Sequence, residues 1–284
     1  MSKKVQTENV NLRLLISVSI LSAAIMAYEI QLMQFFSIVQ WDHFAAMVIS
    51  IALLGFGASG TLLSLYRKWM ISRSQFLIPF FMISSGILMT LSLRLSQSDH
   101  FFFDSYTLFQ GQGQFPRLAM TYLFFFLPFF SGALAIGLVF VRKVTDINLY
   151  YFADLFGAGL GAVSVIFLFW ICKPAHIFLI LSIITILSGV LLCKLKKDKF
   201  LLLYALCACV ILGYYSKQSI EGRTSKYKSI SYTLNLPEAV VEKEYNSPYG
   251  LTQVVTSPAL RYAPGLSFKF NQKVNSSPMV NNKC

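Results

Sequence analysis

Polar and apolar positions along this chain segregate into long blocks. Seven runs are almost free of charged residues: Leu12 to Phe36, Phe44 to Tyr66, Phe76 to Leu95, Leu118 to Val141, Leu149 to Ile171, Ala175 to Cys193 and Phe200 to Tyr215. At 1.5 Å rise per residue, about 20 helical residues cross a hydrocarbon layer of roughly 30 Å. The last run, Phe200 to Tyr215, reaches only about 24 Å and needs its flanks to cross. A segment in lipid must satisfy its own backbone hydrogen bonds, so these runs are predicted to be helices. The expected fold is an all-α polytopic membrane helix bundle of about seven spans over residues 1–215. A polar tail, residues 216–284, follows it.

The tail changes period. Ala239 to Tyr245 and Leu251 to Thr256 are predicted strands. From Leu266 to Phe270, apolar Leu266, Phe268 and Phe270 alternate with Ser267 and Lys269, as in a half-buried strand. Pro264-Gly265 supplies a turn, because proline presets one central dihedral and glycine accepts the positive φ of the next. The prediction is a short, incomplete β-meander, with no further strand or helix from Asn271 to Cys284. So small a sheet buries too little apolar area to stand alone.

Composition agrees with the blocks. The 284 residues are 56% hydrophobic and 13% charged, against about 25% charged in soluble domains. A soluble enzyme, a disordered tail and a secreted disulfide scaffold are disfavoured. The net charge of +12 fits cytoplasmic loops and anionic headgroups, not nucleic acid, once the chain is placed in a membrane. The five cysteines, Cys172, Cys193, Cys207, Cys209 and Cys284, show neither a disulfide framework nor zinc spacing.

The basic residues set the orientation. With the N-terminus inside, twelve Lys and Arg of the first six loops and ends face inward, among them Arg67, Lys68, Arg73, Arg142 and Lys143, while Arg94, Arg117 and Lys173 face outward. By the positive-inside rule the N-terminus is expected to be cytoplasmic. Seven spans put the tail outside; six keep it inside. The first run is a retained anchor and not a signal peptide, since its apolar character continues past Ala23 to Ala27 as far as Phe36.

Candidate chemistry is sparse. Gly55-Phe56-Gly57-Ala58-Ser59-Gly60 matches the dinucleotide fingerprint letter for letter. It lies inside an apolar run, with no preceding strand and no acid at the ribose distance, so the expected role of Gly55, Gly57 and Gly60 is close packing of membrane helices. Ala153, Gly157 and Gly161, spaced by four, carry the same expectation. Glu29 and Asp154 are acids within apolar runs, where an ionised carboxylate is costly and usually retained for a reason. Each admits two readings: a functional carboxylate, or an interface-reaching side chain for Glu29 and a helix-to-helix hydrogen bond for Asp154. Their depths differ too much for a shared proton. Glu29 is nearer in depth to His43, and a Glu29 to His43 contact is the hypothesis. His100 and His176 are scattered with His43, so no metal site follows. Pro128, within the phenylalanine-rich stretch Phe124 to Phe130, is a kink point or a tolerated membrane proline.

Several segments in order carry a family resemblance: Tyr28-Glu29-Ile30, His43-Phe44, Ile49 to Gly57, Tyr151 to Gly161, Tyr227 to Ser231, Ser247-Pro248-Tyr249-Gly250, Ser257-Pro258 and Arg261 to Ser267. Together they resemble the bacterial membrane proteins called spermidine synthase-like, in which a helix bundle precedes an aminopropyltransferase-type domain. The resemblance implies that the tail strands lead toward a Rossmann-like domain holding a decarboxylated S-adenosylmethionine or a relative. It also implies the inner (plasma) membrane as the location. It fades after Val274, and no residue of the nucleoside pocket or catalytic acid carries over. It therefore implies a truncated relative with no catalytic or cofactor residues of its own, dependent on a separate polypeptide for any aminopropyl transfer. Two rivals stand beside it: a carrier or channel for a small cation or polyamine using Glu29 and Asp154, and a passive membrane anchor or assembly subunit.

Overall fold

The computed structural model describes residues 11–40, 43–104, 107–108, 113–194, 197–216, 229–257 and 279–283. Among them, α1 (Leu12–Val39), α2 (His43–Leu65), α4 (Ser74–Ser96), α5 (Gln114–Arg142) and α6 (Ile147–Ile171) are helices long and apolar enough to cross a membrane. Two shorter apolar helices follow, α7 (Pro174–Val190) and α8 (Lys199–Ser216). The short α3 (Arg67–Ser72) joins α2 to α4, and α9 (Ser229–Leu234) precedes the sheet. Local chemistry marks several ends. The Asn11 side chain accepts from the Leu14 backbone N–H at 3.4 Å as the N-cap of α1. Pro174 opens α7, where its missing N–H costs nothing.

Helix pairing follows the small residues and hydroxyls. α4 is packed between α5 and α7: Ser85 donates to the Pro128 carbonyl at 2.9 Å, Ser131 donates to the Phe81 carbonyl at 2.9 Å, and the Thr90 and Ser182 hydroxyls pair at 2.7 Å. The centre of the bundle is aromatic. Fully buried Tyr28 of α1 stacks its edge and face against Phe129 of α5 and Phe178 of α7, with centroids at 5.3 and 5.8 Å. Its hydroxyl is 3.0 Å from the Ser92 hydroxyl of α4, which satisfies a polar atom that no water reaches. Large apolar side chains of α2, α6 and α8, such as Leu53, Phe156, Phe167, Leu206 and Val210, point outward, as a lipid-facing surface requires.

α8 lies along α4. Phe200 meets Phe76 at one end, Tyr204 meets Phe80 and the Ser84 hydroxyl in the middle, and the Arg94 guanidinium donates to the Tyr215 carbonyl at the other end. Arg94 also lies over the Tyr215 ring at 5.1 Å. The helix thus keeps company with α4 from Phe76 to Arg94, about 27 Å at helical rise.

The tail forms an antiparallel sheet in the order β1-β2-β3, from β1 (Val240–Ser247), β2 (Gly250–Thr256) and β3 (Met279–Lys283). The first two strands match the prediction within two residues. Pro248-Tyr249 is the two-residue loop between Ser247 and Gly250, and Gly250 takes the positive φ of 133°, a conformation glycine adopts at no steric cost. The third strand corrects the sequence expectation. The predicted Leu266 to Phe270 strand and its Pro264-Gly265 turn lie outside the described residues, whereas Met279–Lys283, expected to hold no strand, pairs with β2 from Leu251↔Lys283 to Val255↔Met279. Met-Val-Asn-Asn-Lys has little intrinsic β signal, and pairing along the open edge of β2 overrides it.

The sheet is seated on one end of the bundle. Gln34, near the C-terminal end of α1, donates from Nε2 to the Ser247 carbonyl at 2.7 Å, and Lys173, between α6 and α7, lies 3.8 Å from the Glu244 carboxylate. Gln31, one turn below Gln34, donates to the Pro174 carbonyl at 2.8 Å. The turn of the hairpin is therefore tied to the same end of the bundle at which α1 and α6 finish and α7 starts.

Candidate functional site

The polar seam of interest runs between α1 and α6. Ala153, Gly157 and Gly161 are spaced by four and so fall on one helix face, and all three are buried. A Cβ added at Gly157 would overlap the backbone carbonyl of Ser19, and one added at Gly161 would overlap that of Ala23. Contacts that climb both helices together show that α1 and α6 run parallel, backbone against backbone. Sequence reasoning expected these three residues in a helix contact; Gly157 and Gly161 lie against the α1 backbone, and Ala153 is buried on the same helix face.

Asp154 sits beside this contact, half-buried. The Ser22 hydroxyl of α1 donates to its Oδ1, so the carboxylate takes part in holding α6 to α1. Glu29 lies seven residues beyond Ser22 on α1, about 10 Å farther along the axis and on the same side of the helix. It too is half-buried, and among the described residues it has no hydrogen-bond or ion-pair partner. The structure does not bring the two acids together. His43 opens α2, but its side chain lies outside the described residues, and with it the proposed contact to Glu29. Among the described residues, no three His, Cys, Asp or Glu side chains converge as metal ligands would.

The glycine motif of α2 divides. At Gly55 a Cβ would come within 2.7 Å of the Phe129 Cβ and 3.0 Å of the Phe130 backbone nitrogen, so α2 approaches α5 closely there. Among the described residues a Cβ at Gly57 or Gly60 meets nothing within 4 Å, so neither packs against a described helix, where the sequence expectation was close packing. The reason is angular. At 100° per residue they point about 200° and 140° away from Gly55, toward the outer surface.

Three further close approaches escaped the sequence reading. A Cβ at Gly86 of α4 would meet the Ser182 carbonyl at 2.8 Å, one at Gly189 of α7 would meet the Pro79 carbonyl at 3.0 Å, and one at Gly132 of α5 would collide with the Ile25 side chain. A signal was available for α7, where Ser182, Ile186 and Gly189 repeat at helical spacing, but isolated glycines in α4 and α5 carry none. The Tyr28–Ser92 and Thr90–Ser182 pairs were likewise hidden, because a hydroxyl in an apolar run does not name its partner. Comparison with protein-family models, curated proteins and solved structures finds no match to this chain.

Proposed function

We propose that this chain is a seven-span protein of the inner membrane, N-terminus cytoplasmic, whose bundle holds a small β element at the opposite face, in the manner of the membrane half of the spermidine synthase-like proteins it resembles. The observation that carries this reading is the docking of the hairpin through Gln34 to Ser247 and Lys173 to Glu244. A tail serving only as a tether needs no such seat. Two features support the span count and the sides. α8 accompanies α4 for about 27 Å, the reach of a crossing helix. The basic residues Arg67, Lys68, Arg73, Arg142 and Lys143 fall at the bundle end opposite the sheet. On this topology the β element faces away from the cytoplasmic pool of adenosyl cofactors, and the protein alone performs no aminopropyl transfer.

Single-cysteine versions carrying Glu242→Cys or Lys68→Cys test the topology with a thiol reagent that does not cross membranes. In intact cells the first is labelled and the second only after permeabilisation; the reverse pattern overturns the reading. Calorimetry with decarboxylated S-adenosylmethionine tests the activity, and micromolar binding by the purified chain would overturn that part.

One observation favours a second reading, a carrier of small cations or polyamines: Glu29 is a carboxylate within a membrane-length helix with no partner among the described residues. Uptake of labelled polyamine into proteoliposomes that is lost in Glu29→Gln would establish it. Absence of uptake by the unaltered chain would remove it.

A further inference from the structure

The short helix α3 sits where two membrane-length helices end. The apolar span of α2 closes at Leu65 and that of α4 opens at Ser74, so Arg67–Ser72 occupies the connection between them, at the surface of the apolar layer. Met70 is 2% exposed and anchors α3 in the core of the bundle. Around that anchor Arg67, Lys68, Trp69 and Arg73 are all exposed. The end of α2 is apolar and bare, with Leu65 73% exposed and Tyr66 beside it. One residue later the surface turns cationic.

The end of α5 belongs to the same patch. A Cβ at Gly55 would meet Phe129 and one at Gly137 would meet Leu63, the same offset at both places, so α2 and α5 run parallel. That offset brings Arg142, the last residue of α5, to the level of Lys68, and α3 touches α5. No acid neutralises the group. Among the described residues, Asp146 and Asp198 are the acids outside the spans at this end, and neither forms an ion pair with Arg67, Lys68, Arg73 or Arg142. Asp198 instead accepts the Lys194 backbone N–H at 2.8 Å. The Arg73 guanidinium lies over the Trp69 ring at 5.0 Å, and the half-exposed indole offers an N–H with no partner among the described residues. An indole places its apolar body in the acyl boundary and its polar edge toward water. Guanidinium and ammonium groups donate charge-assisted hydrogen bonds to phosphate oxygens.

We infer that α3 and the end of α5 form a binding surface for anionic phospholipid headgroups, with Trp69 at the acyl boundary and Arg67, Lys68, Arg73 and Arg142 on the phosphates. This rests on the bundle crossing a membrane, and it is indifferent to which side α3 faces. An acidic soluble partner is the competing occupant. Lipid is favoured because the cations begin where the spans of α2 and α4 end, next to exposed Leu65, Tyr66 and Phe76, so a headgroup is within reach whenever the bundle is in a bilayer.

The test uses the full chain in bilayer discs of equal parts phosphatidylcholine and phosphatidylglycerol, with bromines on the acyl chains of one lipid or the other. Of the three tryptophans, Trp41→Phe with Trp170→Phe leaves Trp69 alone. Trp41→Phe with Trp69→Phe leaves Trp170, which is 60% exposed near the far end of α6. Quenching of Trp69 is expected to be about twofold stronger when the phosphatidylglycerol carries the bromines, whereas Trp170 should respond alike to both lipids. Arg67→Gln with Lys68→Gln, which keeps the Arg73 stack, should remove most of the difference at Trp69, and so should high salt. Equal quenching of Trp69 by the two lipids would overturn the inference. So would a preference as strong at Trp170, or one unchanged in the Arg67→Gln, Lys68→Gln version. Trp170 quenched with Trp69 silent would place α3 against protein and overturn it while leaving the bundle in the membrane; both silent would remove the membrane reading as well.

Discussion

The glycines of α2 and those of α6 make an instructive pair. Each helix is apolar along its length and carries three small residues within nine positions, yet α6 lies on the backbone of α1 at Gly157 and Gly161, with Ala153 buried on the same face, while in α2 Gly55 lies close to α5 and Gly57 and Gly60 meet no described residue. Composition is the same and the outcome is opposite. What differs is spacing: four residues return a side chain to nearly the same face, two or five do not. The α2 motif, which imitates a nucleotide-binding fingerprint in letters, does not form one helix face.

Substitutions test this contrast, and the largest effect belongs to α6. Gly157→Leu must push apart two backbones, with no flexible side chain able to yield, and should destabilise the bundle by more than about 3 kcal/mol, beyond the usual overpacking range; thermal unfolding in detergent would show a lost or strongly lowered transition. Gly55→Leu meets the Phe129 Cβ and the backbone of Phe130 and is expected to cost about 1–3 kcal/mol by the same assay. Smaller still is the hydrogen bond beside the α6 contact: a double-mutant cycle of Ser22→Ala with Asp154→Asn should give a coupling of about 0.6 kcal/mol, the average for such bonds in a membrane bundle. At the bottom lies Gly57→Ala, for which no loss is expected and a gain of about 0.5–1 kcal/mol is possible from helix propensity alone. A marked loss at Gly57 or Gly60, together with a change in oligomeric state by light scattering, would break the contrast by showing that another molecule covers that face.

How far the fold was legible depends on the range of the forces involved. Every described apolar helix of the bundle falls within a few residues of a predicted run, because a run's length and hydropathy are local properties that the bilayer reads directly. The start of α5 at Gln114, four residues before the predicted Leu118, shows the limit, since caps and interfacial turns extend a helix beyond its apolar stretch. α3 was not foreseen. Arg-Lys-Trp-Met-Ile-Ser is too short and too mixed to show a period, and Arg73 stacks over Trp69 at 5.0 Å only once the turn has formed. Pairing was the least legible. Asp154 stood out as a charge in an apolar run, but nothing near it in the chain points to Ser22. β3 illustrates the same gap in the tail, where Asn281 and Asn282 become strand residues by pairing with Gln253 and Thr252.

The parallel contact of α1 with α6 also has a consequence for how the protein is made. Ser22 and Asp154 are separated by 132 residues, and the stretch between them contains α2, α4 and α5. At typical synthesis rates α1 waits on the order of 10 s for its partner helix to emerge. During that interval the small-residue face of Ser19 and Ala23 rests against lipid or a temporary neighbour, and the bundle can lock only after most of its helices have entered the bilayer. Assembly of this protein is therefore timed by the ribosome, with α6 as the late-arriving clasp.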